Sequence, residues 1–261
     1  MAINHPKRGD GMLEIIKEKL KEIEEREGVR ILHCVESGSR AWGFASPDSD
    51  YDVRFIYVRP REYYLSLDNK RDVIEWQLDD TLDINGWDLQ KALKLAHKSN
   101  PSLLEWVSSP IVYKTTEEWR EIASVIEEHF DCKSGAYHYL SIAKSNYREY
   151  LGEEVVKLKK YFYALRPILA CRWILEEGTP PPVRFDALAD KYLDESIKPD
   201  VEKLLSMKRS MPELGEGERL DKINDYLARA IEDTERRLSA LPDSPALGWD
   251  ALNGVFLKII G

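Results

Sequence analysis

The sequence predicts an α/β fold: a small mixed β-sheet with flanking helices, followed by an all-α half. The clearest strand is YDVRFIYV, residues 51–58, because β-branched and aromatic residues dominate it. From about residue 133 onward the apolar residues recur with helical spacing only. This change of pattern predicts two domains, one over residues 1–130 and an all-helical one over residues 131–261.

The elements of the first half follow from periodicity and from turn residues. In chain order they are a helix over residues 11–28, a strand over 29–35, a polar loop with one helical turn over 36–49, the strand over 51–58, short strands over 73–78 and 81–84, a helical stretch beyond residue 85 and an edge strand over 111–113. Asn100 before Pro101 predicts an N-cap with proline at the first helical position. Thr115 and Glu118 have the spacing of a capping box, which predicts another helix after them.

The second half is predicted to contain helices only. Their expected positions are residues 135–151, 154–177, 198–207 and 220–238. Pro167 predicts a kink in the second of these helices, because proline cannot donate the backbone hydrogen bond. The apolar tail over residues 249–260 is expected to dock back as a short helix or a strand.

Composition narrows the functional classes. The net charge of −9 does not suit a protein that coats long nucleic acids, because such binding requires Lys and Arg, although it still allows a local basic groove. No run of 18 apolar residues and no signal-peptide core occur, so we expect no membrane partner and a cytoplasmic location. The three cysteines form no CxxC pair and have no zinc-ligand spacing with the histidines, so we expect no zinc site.

The most informative stretch is SGSRAWGFASPDSDYDVRFIYV, residues 37–58. Asp50 and Asp52 are two residues apart, so both carboxylates point to the same face of a strand. Adjacent carboxylates repel one another unless a divalent cation lies between them. Mg²⁺ is the expected cation, with Mn²⁺ as an alternative, because both accept hard oxygen ligands.

Gly38, Ser39 and Arg40 precede these carboxylates, directly after a predicted strand. Glycine lets the backbone approach a phosphate, and the first N–H groups of a helical turn form an anion nest. Ser39 adds a hydroxyl and Arg40 a guanidinium for a triphosphate tail. The alternative is that SPDSDYD is a polar turn whose aspartates only cap the loop. The complete order of strand, GS, ten residues and DxD is more specific than either pair, and it favours phosphoryl or nucleotidyl transfer.

These residues resemble the nucleotidyltransferase superfamily that includes polymerase beta. Its pattern is an apolar strand, Gly-Ser, a spacer and Asp-apolar-Asp-apolar, and Gly38-Ser39 and residues 50–53 fill those positions. Together with DINGWDLQKALKL and NPSLLEWVSSPIVY, the stretch is similar to a subgroup associated with RNA repair, over most of residues 30–175. The resemblance implies a palm-like catalytic domain and magnesium-dependent transfer from a nucleoside triphosphate.

The resemblance also implies a third carboxylate from a neighbouring strand. Asp83, which lies between two apolar residues and before a helix, is the best match, with Asp79 and Asp80 as rivals. Asp88 is expected to serve the helix N-terminus instead. By analogy with that superfamily, Asp50 and Asp52 would bind both metal ions. Asp83 would bind the catalytic metal and help to deprotonate the attacking hydroxyl.

A second candidate surface lies in the helical half. Lys159, Tyr163 and Arg166 fall at i, i+4 and i+7 and would share one helix face. The resemblance implies that a helix of the second domain contributes a lysine and a tyrosine to the nucleotide, and Lys160 is an equally good candidate. The alternative is a solvated helix face with lysines that extend their ammonium groups into water.

Aromatic and histidine residues near the motif are expected to belong to the core. Trp42 is expected to fold under its loop rather than to stack on a base. His33 is expected to be a buried strand residue rather than a catalytic one. Neither residue is therefore assigned to the site.

We therefore expect transfer of a nucleoside monophosphate to an acceptor hydroxyl, with release of pyrophosphate. The resemblance favours an RNA end, such as that of a tRNA, as the acceptor. A protein side chain or a small molecule is the alternative acceptor. A further alternative is a catalytically inert partner-binding protein with the same fold. Such a protein is expected to lose a metal ligand or the serine, and both are retained here.

Overall fold

A five-stranded mixed β-sheet forms the centre of the first half. This computed structural model describes residues 10–68, 70–79, 81–211, 214–243 and 247–261. The strands are β1 (Arg30–Glu36), β2 (Tyr51–Val58), β3 (Val73–Asp79), β4 (Leu82–Asp88) and β5 (Val112–Thr115). Their order is β3-β4-β2-β1-β5, with β2 and β4 parallel and the other neighbouring pairs antiparallel. The predicted α/β class with a small mixed sheet is confirmed.

Helices cover both faces of this sheet and make up most of the second half. The described helices are α1 (Asp10–Glu27), α2 (Gly38–Trp42), α3 (Arg61–Tyr64), α4 (Leu89–Ala96), α5 (Pro101–Val107), α6 (Trp119–Glu128), α7 (Cys132–Tyr150), α8 (Lys160–Glu177), α9 (Phe185–Tyr192), α10 (Lys198–Ser210), α11 (Asp221–Ala240) and α12 (Asp250–Ile260). Two short strands, β6 (Val155–Lys157) and β7 (Glu216–Glu218), pair in the second half. Within the described ranges, no helix is both long and apolar enough to cross a membrane.

Alternate side chains of β2 enter two separate cores. Val53 and Phe55 pack with the apolar side of α1, which includes Leu20. Ile56 packs on the opposite face of the sheet with α4, α5 and α6. Asp52 has the same parity as Ile56, so its carboxylate lies on that second face, at the beginning of the strand.

Helices α7 and α8 form the core of the second half. Tyr139, Phe162 and Leu165 are among the side chains almost completely buried there. Helix α11 packs on both helices, and α9 packs on α8. Pro167 lies inside α8 and does not end it.

The two short strands of the second half differ from the prediction of helices only. Val155–Lys157 pairs antiparallel with Glu216–Glu218, which is far away in the sequence. The helix expected from residue 154 therefore begins at Lys160, and Lys159 occupies its N-cap position. A three-residue strand has too few side chains to show the alternation of apolar and polar residues that predicts a strand. These two strands form because they pair with each other.

Helix starts in the first half agree with the sequence in two places and differ in one. Asp88 accepts a hydrogen bond from the backbone N–H of Gln90, which confirms its expected capping role. The chain does not become helical at residue 85, because β4 continues to Asp88. Asn100 caps α5 as predicted. The capping box at Thr115 does not form, because that residue ends β5 and pairs with β1.

The last helix returns to the first half of the chain. Leu252 and Val255 of α12 are buried in the same core as α4 and α6. This confirms that the tail docks back as a helix. The division into residues 1–130 and 131–261 remains a prediction, and α12 shows that the second segment contributes to the core of the first.

Candidate active site

The parallel pairing of β2 and β4 brings two carboxylates together. Asp52 and Asp83 are direct register partners on these neighbouring strands. Asp50 lies one residue before β2 and is exposed, whereas Asp52 is half-buried. The register therefore places Asp83 beside Asp52, with Asp50 just before the same strand, and a shared metal site of the three carboxylates remains a prediction. Of the two rivals, Asp79 ends β3 and Asp80 lies outside the described residues.

Arg54 links the two strands and was missed by sequence reasoning. Its Nη2 donates to Asp52 Oδ1 at 2.9 Å and to Asp83 Oδ2 at 2.7 Å. Its Nη1 donates to the carbonyl oxygens of Val53 at 3.1 Å and Asp83 at 3.0 Å. The signal was present in the sequence, because a residue two positions after Asp52 must lie on the same strand face.

The Asp52 carboxyl has an unfavourable environment for its negative charge. Burial raises its pKa, and the nearby carboxylates of Asp83 and Asp50 raise it further. Arg54 and Arg40 oppose this shift by lowering the pKa. A cation at this position would favour the ionised carboxylate, because opposite charges stabilise it.

Gly38 lies directly against the Asp52 carboxylate. Its φ of +58° is in the left-handed region, which L side chains rarely adopt. A Cβ atom at this position would lie 2.1 Å from Asp52 Oδ2. The backbone N–H of Ser37 donates to the Asp52 carbonyl at 2.8 Å, so the turn into α2 is also attached to β2. The Gly-Ser turn and the second aspartate are therefore one structural unit.

Arg40 organises the loop that leads to Asp50. Its Nη2 donates to the Ser49 carbonyl at 2.5 Å, and its Nε donates to the Asp50 carbonyl at 3.0 Å. The guanidinium also lies 3.8 Å from the centre of the Tyr51 ring. These contacts hold Asp50 in place, while the predicted contact of Ser39 and Arg40 with a triphosphate remains a prediction.

Glu36 is a buried carboxyl beneath the site that sequence reasoning did not identify. Its Oε1 accepts from the Asp52 backbone N–H at 2.9 Å, and its Oε2 accepts from the Tyr113 hydroxyl. Burial raises the pKa of Glu36 to about 7. A glutamate at the end of an apolar strand was the available signal, since charged residues are rarely fully buried without partners.

The N-terminal part of α8 faces the carboxylates. Burial raises the pKa of Tyr163, and the negative charges of Asp52 and Asp50 raise it further. The charge of Lys159 lowers that pKa, so this lysine is also close. The ammonium of Lys160 lies 3.6 Å from the centre of the Tyr150 ring and 5.1 Å from that of Tyr163. The structure therefore places Tyr163 within electrostatic reach of Asp52, Asp50 and Lys159, with Lys160 beside its ring, and their contact with a nucleotide remains a prediction.

Arg166 is on the same helix, but its environment differs. It is only 2% exposed, and its Nη1 donates to Glu105 Oε1 at 2.6 Å. Its Nε and Nη2 both donate to the Val183 carbonyl. Trp42 covers the guanidinium and donates its indole N–H to Glu105 at 3.0 Å. Arg166 therefore forms a buried ion pair, so the alternative of a solvated face does not hold for it, and its predicted contact with a nucleotide remains a prediction. Trp42 folds under its loop, as expected.

The carboxylates of Asp50, Asp52 and Asp83 are suitable ligands for Mg²⁺, but their side chains are not arranged as a metal site in this structure. Carboxylate oxygens are the ligands that Mg²⁺ prefers, and the carboxylates of Asp50 and Asp83 raise the pKa of Asp52. However, among the described residues no group of three or more His, Cys, Asp or Glu side chains is arranged to hold a metal ion. Asp52 and Asp83 are instead both paired with Arg54.

A groove lies behind the start of β2. It has a volume of about 670 Å³ and is lined by the side chains of Arg40, Arg209, Tyr51, Tyr113 and several aliphatic residues. Its lining contains two arginines and no acidic residue, although the whole chain has a net charge of −9. The groove is therefore a local basic and aromatic surface next to the loop that holds Asp50.

Comparisons with known proteins identify the family of the chain. The chain is 49% identical over 226 residues to a Bacillus subtilis (strain 168) protein named "Uncharacterized protein YcgL", and the match covers 85% of this chain and 86% of the relative. A solved nucleotidyltransferase-like protein from Exiguobacterium sibiricum 255-15 is 11% identical, with coverage of 94% of this chain and 79% of that chain and a TM-score of 0.34. The family described as "RNA repair pathway DNA polymerase beta family" matches residues 12–258. The chain belongs to this polymerase-beta-type nucleotidyltransferase family.

Proposed function

We propose that this chain is a magnesium-dependent nucleotidyltransferase that transfers a nucleoside monophosphate to an acceptor hydroxyl. The main support is the register of Asp52 with Asp83 across parallel strands, with Asp50 beside them. The Gly38 turn against Asp52 and the family match over residues 12–258 agree with it. Mn²⁺ is an alternative cation.

The acidic residues have distinct roles in this proposal. Asp50 and Asp52 would hold the divalent cation, which when bound supplies positive charge to the phosphates and the leaving group. Asp83 would accept the proton of the attacking hydroxyl. Glu36 fixes the backbone of Asp52 through its hydrogen bond to that N–H group. Tyr163 would contribute from the helical half, because its hydroxyl is within electrostatic reach of Asp52 and Asp50.

The groups around the cleft would position the triphosphate for in-line attack. Gly38 and Ser39 would contact the phosphates from α2, and Lys159 and Lys160 would contribute positive charge from the start of α8. The acceptor oxygen forms a new bond to the α-phosphorus, while the bond from this phosphorus to the α,β-bridging oxygen breaks. The nucleoside monophosphate stays on the acceptor and pyrophosphate leaves.

The acceptor in this proposal is an RNA end. The family description names an RNA repair pathway, and the groove behind β2 provides two arginines and two tyrosines without an acidic residue. Arginine binds phosphates, and aromatic rings stack on unpaired bases. Arg40 lines this groove and also binds the Asp50 carbonyl, so RNA nucleotides in the groove would lie beside the loop that carries Asp50.

Label transfer to a panel of acceptors tests the proposal. Purified protein would be incubated with Mg²⁺, each α-labelled nucleoside triphosphate and either total RNA, nicked or intact tRNA, or a cell protein extract. Label in RNA that disappears in the Asp50→Asn plus Asp52→Asn variant is the expected result. Label in protein would replace the RNA acceptor by a protein one. No transfer to any acceptor by the wild-type protein would contradict the proposed activity.

A further inference from the structure

We infer that Arg54 is a built-in cation that competes with a divalent cation for Asp52 and Asp83. In the resting protein this leaves a site for one cation, held by Asp50 and Asp52, while Asp83 is committed to Arg54. The inference rests on the proposed function. It concerns how many cations the site accepts and which residue limits that number.

The hydrogen-bond pattern of Arg54 is that of a fixed group. One guanidinium nitrogen bridges the two carboxylates, and another donates to two carbonyl oxygens of the same strands. Only 16% of the Arg54 side chain is exposed, compared with 32% for Asp52 and 52% for Asp83. Charge-assisted bonds in a partly buried fork are stronger than surface ion pairs, so this arrangement persists in the absence of a metal.

Electrostatics gives the same conclusion. Arg54 places a positive charge 2.9 Å from Asp52 Oδ1 and 2.7 Å from Asp83 Oδ2. Arg54 thus neutralises part of the negative charge that would otherwise attract metal ions. A divalent cation that used both Asp52 and Asp83 would meet this positive charge at the same carboxylates, and like charges repel.

The strand geometry explains why Arg54 is placed there. It follows Asp52 by two residues, so both side chains leave β2 on the same face. The parallel neighbour β4 presents Asp83 at the same level as Asp52. Movement of Arg54 would release Asp83, which would become available to the acceptor hydroxyl or to a second cation.

Manganese titration followed by electron paramagnetic resonance tests the inference without requiring turnover. Free Mn²⁺ would be measured against protein concentration, without nucleotide, for the wild type and for Arg54→Gln, which keeps hydrogen-bonding capacity but removes the charge. The matched control is Arg71→Gln, which removes the same charge from an exposed pair with Glu75. Thermal unfolding of each variant would verify folding, and Arg54→Lys would replace Arg54→Gln if the latter does not fold.

The expected result is one Mn²⁺ per wild-type chain, lost in Asp52→Asn and retained in Asp83→Asn. Arg54→Gln should bind a second ion or bind Mn²⁺ at least about tenfold more tightly, whereas Arg71→Gln should match the wild type. For Arg54→Lys the expected result is tighter binding than wild type, because a single ammonium cannot bridge both strands in the same way. Two ions in the wild type, or unchanged binding in the Arg54 variant, would overturn the inference and leave the proposed function intact. No binding by either protein would contradict the proposed function itself.

Discussion

At the scale of single residues, the site depends on one position where a side chain cannot be accommodated. Gly38 combines a left-handed backbone conformation with close contact to Asp52 Oδ2. Gly38→Ala is expected to displace the Asp52 carboxylate, because the new Cβ would lie 2.1 Å from it. A displacement of about 1 Å at a reacting group costs on the order of 100-fold in rate. Steady-state kinetics of nucleotidyl transfer would measure this loss.

Gly28 provides a matched control for the Gly38 substitution. Its φ of +61° is nearly the same, but a Cβ there would have no atom within 4 Å among the described residues. Gly28→Ala should therefore have only the backbone cost of about 1 kcal/mol in unfolding free energy and keep full activity. Equal activity in the two variants would show that contact with Asp52 is unimportant.

His33 gives a pH dependence of stability at the residue scale. Burial lowers the pKa of this histidine to about 4 from its usual 6.5. Because its folded pKa is lower than its unfolded pKa, the folded state binds fewer protons, and stability is lost as the pH falls below about 6.5. Between pH 7 and pH 5 this single group should lower the unfolding free energy by about 2 kcal/mol.

The variant His33→Phe isolates this effect. A phenyl ring can still stack on Trp119, whose ring centre is 4.4 Å from that of His33, but it cannot take up a proton. Urea unfolding at pH 7 and pH 5 should show a smaller loss of stability in the variant by about 2 kcal/mol. An identical pH dependence in both proteins would mean that His33 does not titrate in this interval.

The sequence was informative for residues whose role is local and less so for residues defined by tertiary contacts. Gly38, Asp50 and Asp52 lie in one short stretch, so their spacing predicts a common site. Glu36 and Arg54 have roles that depend on which strand lies beside them and at what register. A single sequence does not specify this register.

At the scale of elements, α5 and α8 are joined by a buried ion pair. Arg166 of α8 is 2% exposed and is paired with Glu105 of α5 at 2.6 Å. Arg166→Met is expected to lower the unfolding free energy by about 3 to 5 kcal/mol, because it leaves Glu105 charged and buried without this partner. Chemical unfolding followed by circular dichroism would measure the change.

An exposed ion pair serves as the control for this substitution. Arg237 and Glu176 are separated by 2.8 Å, with more than a third of each side chain exposed. Arg237→Met should change the unfolding free energy by less than about 1 kcal/mol, since water already solvates both charges. Similar effects of the two variants would indicate that the buried pair does not stabilise the contact between α5 and α8.

Helices and strands could be predicted from the sequence where they are long and their apolar residues recur at regular spacing. The strand β2 has the expected bounds, and α1, α4 and α11 follow their apolar stripes. The strands β6 and β7 contain three residues each and are stabilised by pairing across about sixty residues of chain. No local pattern predicts such a pairing, which explains why the start of α8 was placed too early.

At the scale of the whole molecule, both halves of the chain contribute residues near the candidate site. The sheet presents Asp52 and Asp83, and α8 presents Tyr163 against them. The final helix α12 returns to pack on α4 and α6. A nucleotide site between the sheet and the helical half remains a prediction. The core that α12 joins could not be deduced from its apolar character alone.

The most direct test of the proposed activity is pyrophosphate release in the presence of Mg²⁺, a nucleoside triphosphate and RNA. The wild type would be compared with Asp52→Asn and with Asp68→Asn, which changes an exposed aspartate paired with Lys70. The expected result is loss of about 1,000-fold or more in Asp52→Asn and wild-type release in Asp68→Asn. Release that survives in Asp52→Asn, or that does not require a divalent cation, would contradict the proposed nucleotidyl transfer at this site.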